Sequence, residues 1–149
     1  LARRARRVFA VDVGRGQLHR SLGSDPRVDG LEATDARDLT ADLIPEAPGL
    51  VVSDVSFIGL AKALPAALAL AAEGADLVAL VKPQFEVGQA RVGKGGLVKD
   101  EVARIEALER VKEFLEAAGW IVRGTAPSPI EGGDGNREYL VWAVKRAAR

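Results

Sequence analysis

No cysteine and no methionine occur among the 149 residues, and there is one histidine, His19. The missing thiols exclude a disulfide scaffold, a thiolate zinc site and a cysteine nucleophile. A lone histidine leaves nothing from which to build a His-rich metal centre or a Ser/His/Asp triad, so no bound metal is expected. Aromatic residues are scarce at 5%, yet hydrophobic residues reach 48% and charged ones 28%, the usage of an ordinary globular chain. Long apolar runs are absent too: the most apolar stretch, Phe57 to Ala72, carries Lys62 and Pro65 inside it. A membrane span needs roughly 20 apolar residues, so a buried or half-buried helix and a cytoplasmic protein are expected instead. The arginine-rich start runs into a strand with no apolar segment of signal-peptide length. A chain that opens on Leu1 and holds no methionine reads as a piece of a longer polypeptide.

Lys and Arg number 21, as do Asp and Glu, so no net field draws the chain to nucleic acid or lipid. The distribution is uneven. Arg3, Arg4, Arg6, Arg7, Arg15 and Arg20 face one acid, Asp12, and a second basic group comprises Lys82, Arg91, Lys94 and Lys99. Most such clusters are solvated surface, but basic groups flanking a polar site also suit a polyanionic substrate.

Strand and helix patterns alternate along the chain. Strands are expected at Arg7–Val13, Val28–Ala33, Leu50–Asp54 and Asp76–Val81, with helices at Gly16–Leu22, Phe57–Ala72 and Lys99–Ala118. In the last of these, Val102, Ile105, Leu108, Val111 and Leu115 recur at helical spacing, and Gly119 supplies the stop. A glycine-rich loop is expected from Lys82 to Leu97. Strands at Trp120–Thr125 and Arg137–Lys145 close the chain around a loop too short for a parallel crossover, hence as an antiparallel pair. The sum is an α/β fold with a mainly parallel sheet covered on both faces.

Two nucleotide motifs come close and fail. Gly14-Arg15-Gly16 begins a dinucleotide fingerprint, but His19 stands where the third glycine belongs. Gly88 to Gly95 fits a phosphate-loop pattern until Gly95, which replaces the Ser or Thr that would hold magnesium, and it does not leave its strand directly. Ligands of doubly wound sheets bind at the carboxyl ends of strands. That rule selects Asp12, Asp54 and Lys82, each closing an apolar strand. A carboxylate at the first position accepts from both ribose hydroxyls of an adenosine cofactor, or simply caps a turn. Asp35 accepts from an adenine amino group, or caps the turn that follows it. Asp54, Lys82 and Glu138 are charged groups near buried strand ends, either a structural ion-pair set or a reactive one.

The segments Asp12-Val13-Gly14, Asp54-Val55-Ser56-Phe57-Ile58, Val81-Lys82-Pro83-Gln84-Phe85-Glu86, Arg91-Val92-Gly93-Lys94-Gly95-Gly96 and Gly135-Asn136-Arg137-Glu138-Tyr139-Leu140 together resemble the TlyA (hemolysin A) family of FtsJ-like RNA ribose methyltransferases. The resemblance spans essentially the whole chain, in order. It implies a Rossmann-like methyltransferase domain that uses S-adenosylmethionine to methylate the 2′-oxygen of cytidine in ribosomal RNA or ribosomal subunits. It assigns Asp54, Lys82 and Glu138 to catalysis, with Lys82 at the 2′-hydroxyl as base or charged orienter. It places Asp12, Val13, Asp35, Ala36 and Asp54 at the cofactor, and Arg91, Lys94 and Lys99 on the RNA. It also implies that a first lysine, the first strand with its glycine-rich loop, and a small RNA-binding domain precede Leu1, Arg3 to Arg7 ending a helix. The chain alone is then expected to lack a central strand, to fold poorly and to be inactive. A membrane-active hemolysin and a small-molecule methyltransferase are the competing readings. The first predicts dye release from liposomes; the second, methyl transfer to small acceptors without need of Lys82, Asp54 and Glu138.

Overall fold

The computed structural model describes Leu1 and residues 4–147; Arg3, named above in a basic cluster and at a helix end, lies outside the described residues. Strand β1 (Val8–Val11) pairs in parallel with β2 (Val28–Leu31), Val8 opposite Val28 and Val11 opposite Leu31. Strands β3 (Leu50–Ser53), β4 (Asp76–Val81), β5 (Trp120–Pro127) and β6 (Tyr139–Lys145) form a second sheet in the order β3-β4-β6-β5. There β3 and β4 are parallel, and β6 runs antiparallel to both its neighbours. Three strands of that sheet therefore share one direction and β6 reverses it, so the expected closing antiparallel pair is present. Among the described residues no strand links the two sheets.

The long apolar helix expected over Phe57–Ala72 is divided. It becomes α2 (Leu60–Ala63) and α3 (Pro65–Leu70), with Pro65 at the first position of the second piece. Proline lacks the N–H that would continue the ladder and fits only a first turn. The helix expected over Gly16–Leu22 contracts to α1 (Arg20–Gly23), because Gly16 turns left-handed at φ +66° and His19 caps the start, its Nδ1 accepting from the Ser21 amide. Inside the expected irregular loop sit one α-helical turn, α4 (Pro83–Glu86), and two short 3-10 turns, Gln89–Arg91 and Lys94–Gly96. The long helix α5 (Glu101–Ala117) is capped by Asp100, whose carboxylate accepts from the Val102 amide.

The buried stripe of α5 differs from the expected one. Val102 and Ile105 are 60% and 49% exposed, while Ala103, Ala107, Leu108, Val111 and Leu115 are buried. Ala103 and Ala107 pack with Val87 and Val98, where the loop after β4 approaches the helix and only small side chains fit between. The main core lies on one face of the larger sheet: Leu77, Ala79, Val81, Val141 and Ala143 bury against Leu60, Leu64, Leu68, Val111, Leu115 and Trp120. The opposite face is not covered as expected. Leu50, Val52, Val78 and Trp142 stay 57%, 71%, 37% and 48% exposed, because α2, α3 and α5 all pack into the core on the first face.

Candidate active site at the ends of β3 and β4

Lys82 follows the last residue of β4 and Asp54 the last of β3, so the parallel pairing of these strands brings both side chains to one end of the sheet. Lys82 Nζ lies 2.6 Å from Asp54 Oδ1 and donates to Ser56 Oγ at 3.0 Å. The lysine side chain is only 12% exposed against 69% for Asp54. A desolvated ammonium needs its counter-ion, whereas the exposed carboxylate is free to reorient. Glu138 enters the same cavity from the start of β6. This cavity of about 390 Å³ is lined by Ser56, Phe57, Lys82, Phe85, Asp134 and Glu138, among others. Glu138 is buried, and its hydrogen-bond partner is Gln84, whose Nε2 donates to it at 3.3 Å and to Asp134 at 3.4 Å. Asp54 and Lys82 thus meet directly, while Glu138 lines the cavity with Lys82 and is held by a different partner.

Two loops shape the mouth. After Asp54 the chain turns at Phe57, a non-glycine residue at φ +66°, and holds its ring 91% exposed, tilted 50° to Phe85 at 5.2 Å. Glu86 holds this turn in place. Its Oε1 accepts from the Leu60 amide at 2.8 Å, and its other oxygen would stand 3.1 Å from any Cβ at Gly59. Burial pushes the Glu86 carboxyl up from its ordinary value, opposed by that amide and by the charge of Arg110. The second loop, 128–138, brings its carboxylates equally close: a Cβ at Gly132 would meet Glu138 Oε1 at 2.7 Å and Asp134 Oδ1 at 2.9 Å. Partial burial raises Asp134, but hydrogen bonds from the backbone and side chain of Asn136, with the charge of Lys82, bring it below its ordinary value.

The residues expected at the cofactor sit on the smaller sheet. Asp12 follows β1, accepts from the Gly14 amide at 2.7 Å, and its carbonyl takes the Thr34 amide at 3.0 Å. That bond ties the Asp12 turn to the loop holding Asp35 and Ala36. Val13 beside it is 70% exposed. Asp35 caps the following turn, accepting from the Arg37 amide, and its carboxylate is paired with the Arg37 guanidinium at 2.6 Å. Those bonds pull its pKa down to about 2. Of the three basic residues expected on RNA, Lys94 and Lys99 are exposed. Arg91 is also exposed but is held by Glu106 of α5 and, at 3.5 Å, by Asp100, which caps that helix.

Gln84, Asp134 and Asn136 escaped the sequence reading, as did the lysine-holding role of Ser56. All four lie within or beside the singled-out segments, but uncharged or loop-borne side chains carry no strand-end signal. Only the fold shows that positions 84, 134 and 136 converge.

A family profile described as FtsJ-like methyltransferase matches residues 1–145. The 16S/23S rRNA (cytidine-2′-O)-methyltransferase TlyA of Mycobacterium tuberculosis is 49% identical over 142 residues, covering 95% of this chain and 53% of that protein. The chain spans about half the length of the curated relative it matches there. Among solved structures, a Streptococcus thermophilus protein described as a hemolysin superposes with a TM-score of 0.91 at 39% identity, over 97% of this chain and 52% of the other. A Listeria monocytogenes protein described as an S-adenosylmethionine-dependent methyltransferase shares the fold alone, with a TM-score of 0.66 at 13% identity, over 96% of this chain and 82% of that one. With a family profile running from the first residue through the end of β6, this chain belongs to the FtsJ-like methyltransferases.

Proposed function

We propose that this chain forms the larger part of a methyltransferase domain that moves a methyl group from S-adenosylmethionine to the 2′-hydroxyl of cytidine in ribosomal RNA, in the cytoplasm. The observation that carries the reading is the mostly desolvated Lys82 ammonium, held between Asp54 and Ser56 in a cavity that also receives Glu138. Methyl transfer needs an acceptor oxygen aligned with the methyl carbon and relieved of its proton. Lys82 contacts that oxygen, Asp54 and Ser56 fix the direction of its Nζ, and the hydroxyl proton passes to solvent, its departure eased by the negative charge of Glu138. S-adenosylmethionine, when bound, supplies the electrophilic methyl on a sulfonium centre. Asp12 fits such a group: one carboxylate oxygen is spent on the Gly14 amide and the other remains to accept from ribose, with Val13 offering apolar surface beside it. Asp35 is committed to Arg37, so its part is to set the loop whose Ala36 backbone would face an adenine.

The exposed face of Phe57 offers a platform for a nucleobase. Lys94 and Lys99 are free to meet phosphates, and Gly95 and Gly96, at φ +75° and +81°, let the backbone come close. Arg91 supports this loop from behind through Glu106. Among the described residues no strand joins the two sheets, and we assign their connection to a further parallel strand. The chain alone then folds poorly and does not turn over, whereas a longer polypeptide carrying that strand folds stably and transfers methyl groups. Labelled-methyl transfer to ribosomal RNA by that longer protein tests the reading, with Lys82→Ala expected to abolish it. Undiminished turnover in the variant, or transfer only to small acceptors, refutes it.

A further inference from the structure

Asn136 stands apart from the charged residues of the cavity: it is 2% exposed and every polar atom of its side chain is used. Its Oδ1 accepts from the Val98 amide at 2.9 Å, and its Nδ2 donates to the Gly96 carbonyl at 2.8 Å and to Asp134 Oδ2 at 2.7 Å. The first two bonds grip the glycine-rich loop that carries Lys94. The third reaches the loop that carries Glu138, and the Asn136 amide donates back to Asp134 Oδ1 at 3.0 Å. From Asp134 the connection continues through Gln84 Nε2, at 3.4 Å, to Glu138 at 3.3 Å. Val98, Asn136, Asp134, Gln84 and Glu138 therefore form one hydrogen-bonded line from the basic loop to the reactive carboxylate.

Only a carboxamide serves here. The Val98 amide needs an acceptor, while Gly96 and Asp134 each need a donor, and Asn is the shortest side chain that offers an acceptor oxygen together with two N–H donors. Without it the glycines leave the loop little to hold its shape. Gly93, Gly95 and Gly96 bring no side chains, two of them are left-handed, and between Gly93 and Leu97 the remaining backbone bonds are Gly93 N–H to Leu97 at 2.8 Å and Gly96 N–H to Gly93 at 3.1 Å, while Arg104 holds only the Val98 and Lys99 carbonyls beyond them. We propose that Asn136 is a positioning residue that couples the RNA-facing loop to Glu138, so that phosphate contact at Lys94 and carboxylate placement in the cavity are set together. This rests on the methyltransferase reading for its RNA ligand, but the latch itself does not.

The experiment uses the full-length protein with Asn136→Ala and Asn136→Asp, a ribosomal RNA fragment as acceptor, and hydrogen exchange at the Val98 amide. Asn136→Ala is expected to raise the KM for RNA about tenfold or more with the cofactor KM within twofold, and to speed exchange at Val98. Asn136→Asp keeps the acceptor for Val98 but sets a carboxylate against Asp134. Its defect should shrink as pH falls and one of the two protonates, a recovery the wild type does not show. Should Asn136→Ala fail to fold, the pH dependence of Asn136→Asp decides alone. Equal RNA KM in wild type and variants, or a rise in both KM values together, overturns the coupling. If the wild type transfers no methyl to RNA, the functional reading fails by itself, and unchanged exchange at Val98 in the variants then overturns the latch.

Discussion

Phe57 pays conformational strain to display a ring that the protein core does not use, and replacing it separates the two effects. The residue sits at φ +66°, where a side chain other than that of glycine costs about 1–2 kcal/mol. Its ring is 91% exposed, so truncation loses almost no burial, only the tilted contact with Phe85, worth about 0.5–1.5 kcal/mol. Glycine relieves the strain but gives about 0.4–1 kcal/mol back to the freedom of the unfolded chain. Phe57→Gly should therefore fold within about 1 kcal/mol of the wild type, and Phe57→Ala, which keeps the strain and loses the contact, should be the less stable by about 1 kcal/mol. In function the two variants should match. Loss of a stacked base costs about 1–3 kcal/mol, which is about a 5- to 150-fold rise in the KM for RNA with cofactor binding unchanged. Urea titrations give the first pair of numbers and methyl-transfer kinetics the second. An alanine variant more stable than the glycine one refutes the strain argument. RNA kinetics equal to wild type in both variants refute the stacking platform.

Two further outcomes follow from burial and charge. Leu77 is fully buried in the core cluster, so Leu77→Ala should cost about 2–5 kcal/mol in urea unfolding, whereas Val78→Ala, one residue along on the bare face, should cost less than about 1.5. Equal losses would mean that the bare face is covered in solution. The Glu86 carboxyl is raised by burial above its ordinary value of 4.5, so the folded state holds that proton longer than the unfolded one. Stability from this group is then present below pH 4.5 and falls as pH rises through the folded pKa. Glu86→Gln removes that slope: its urea midpoint, compared with wild type at pH 4 and pH 7, should gain ground at the higher pH, and a variant that loses ground there refutes the assignment.

Much of the architecture was legible because it depends on local periodicity. Apolar runs ending in Asp12, Asp54 and Lys82 mark strands whose carboxyl ends face a ligand, and the short connection before Tyr139 dictates an antiparallel return. The misreadings have equally local causes. Pro65 splits a run whose hydrophobicity is continuous, and Gly16 consumes half of an apparent helix in a turn. The stripe of α5 was misjudged because hydrophobicity favours Val102 and Ile105, while the closeness of the Val87–Val98 segment demands Ala103 and Ala107.

By itself, then, the sequence determined which charged residues lie at strand ends and that the chemistry excludes thiols and histidine clusters, because strand pattern and composition are properties of the chain alone. What only the tertiary structure decided is who holds whom. Lys82 is gripped by Asp54 and Ser56, Glu138 by Gln84, and Arg91 is drawn away to Glu106. Asn136, one polar residue in a glycine-rich stretch, becomes the joint between two loops. Hydrogen bonds between residues 26 to 54 positions apart depend on how strands and loops converge, and no local pattern encodes that meeting.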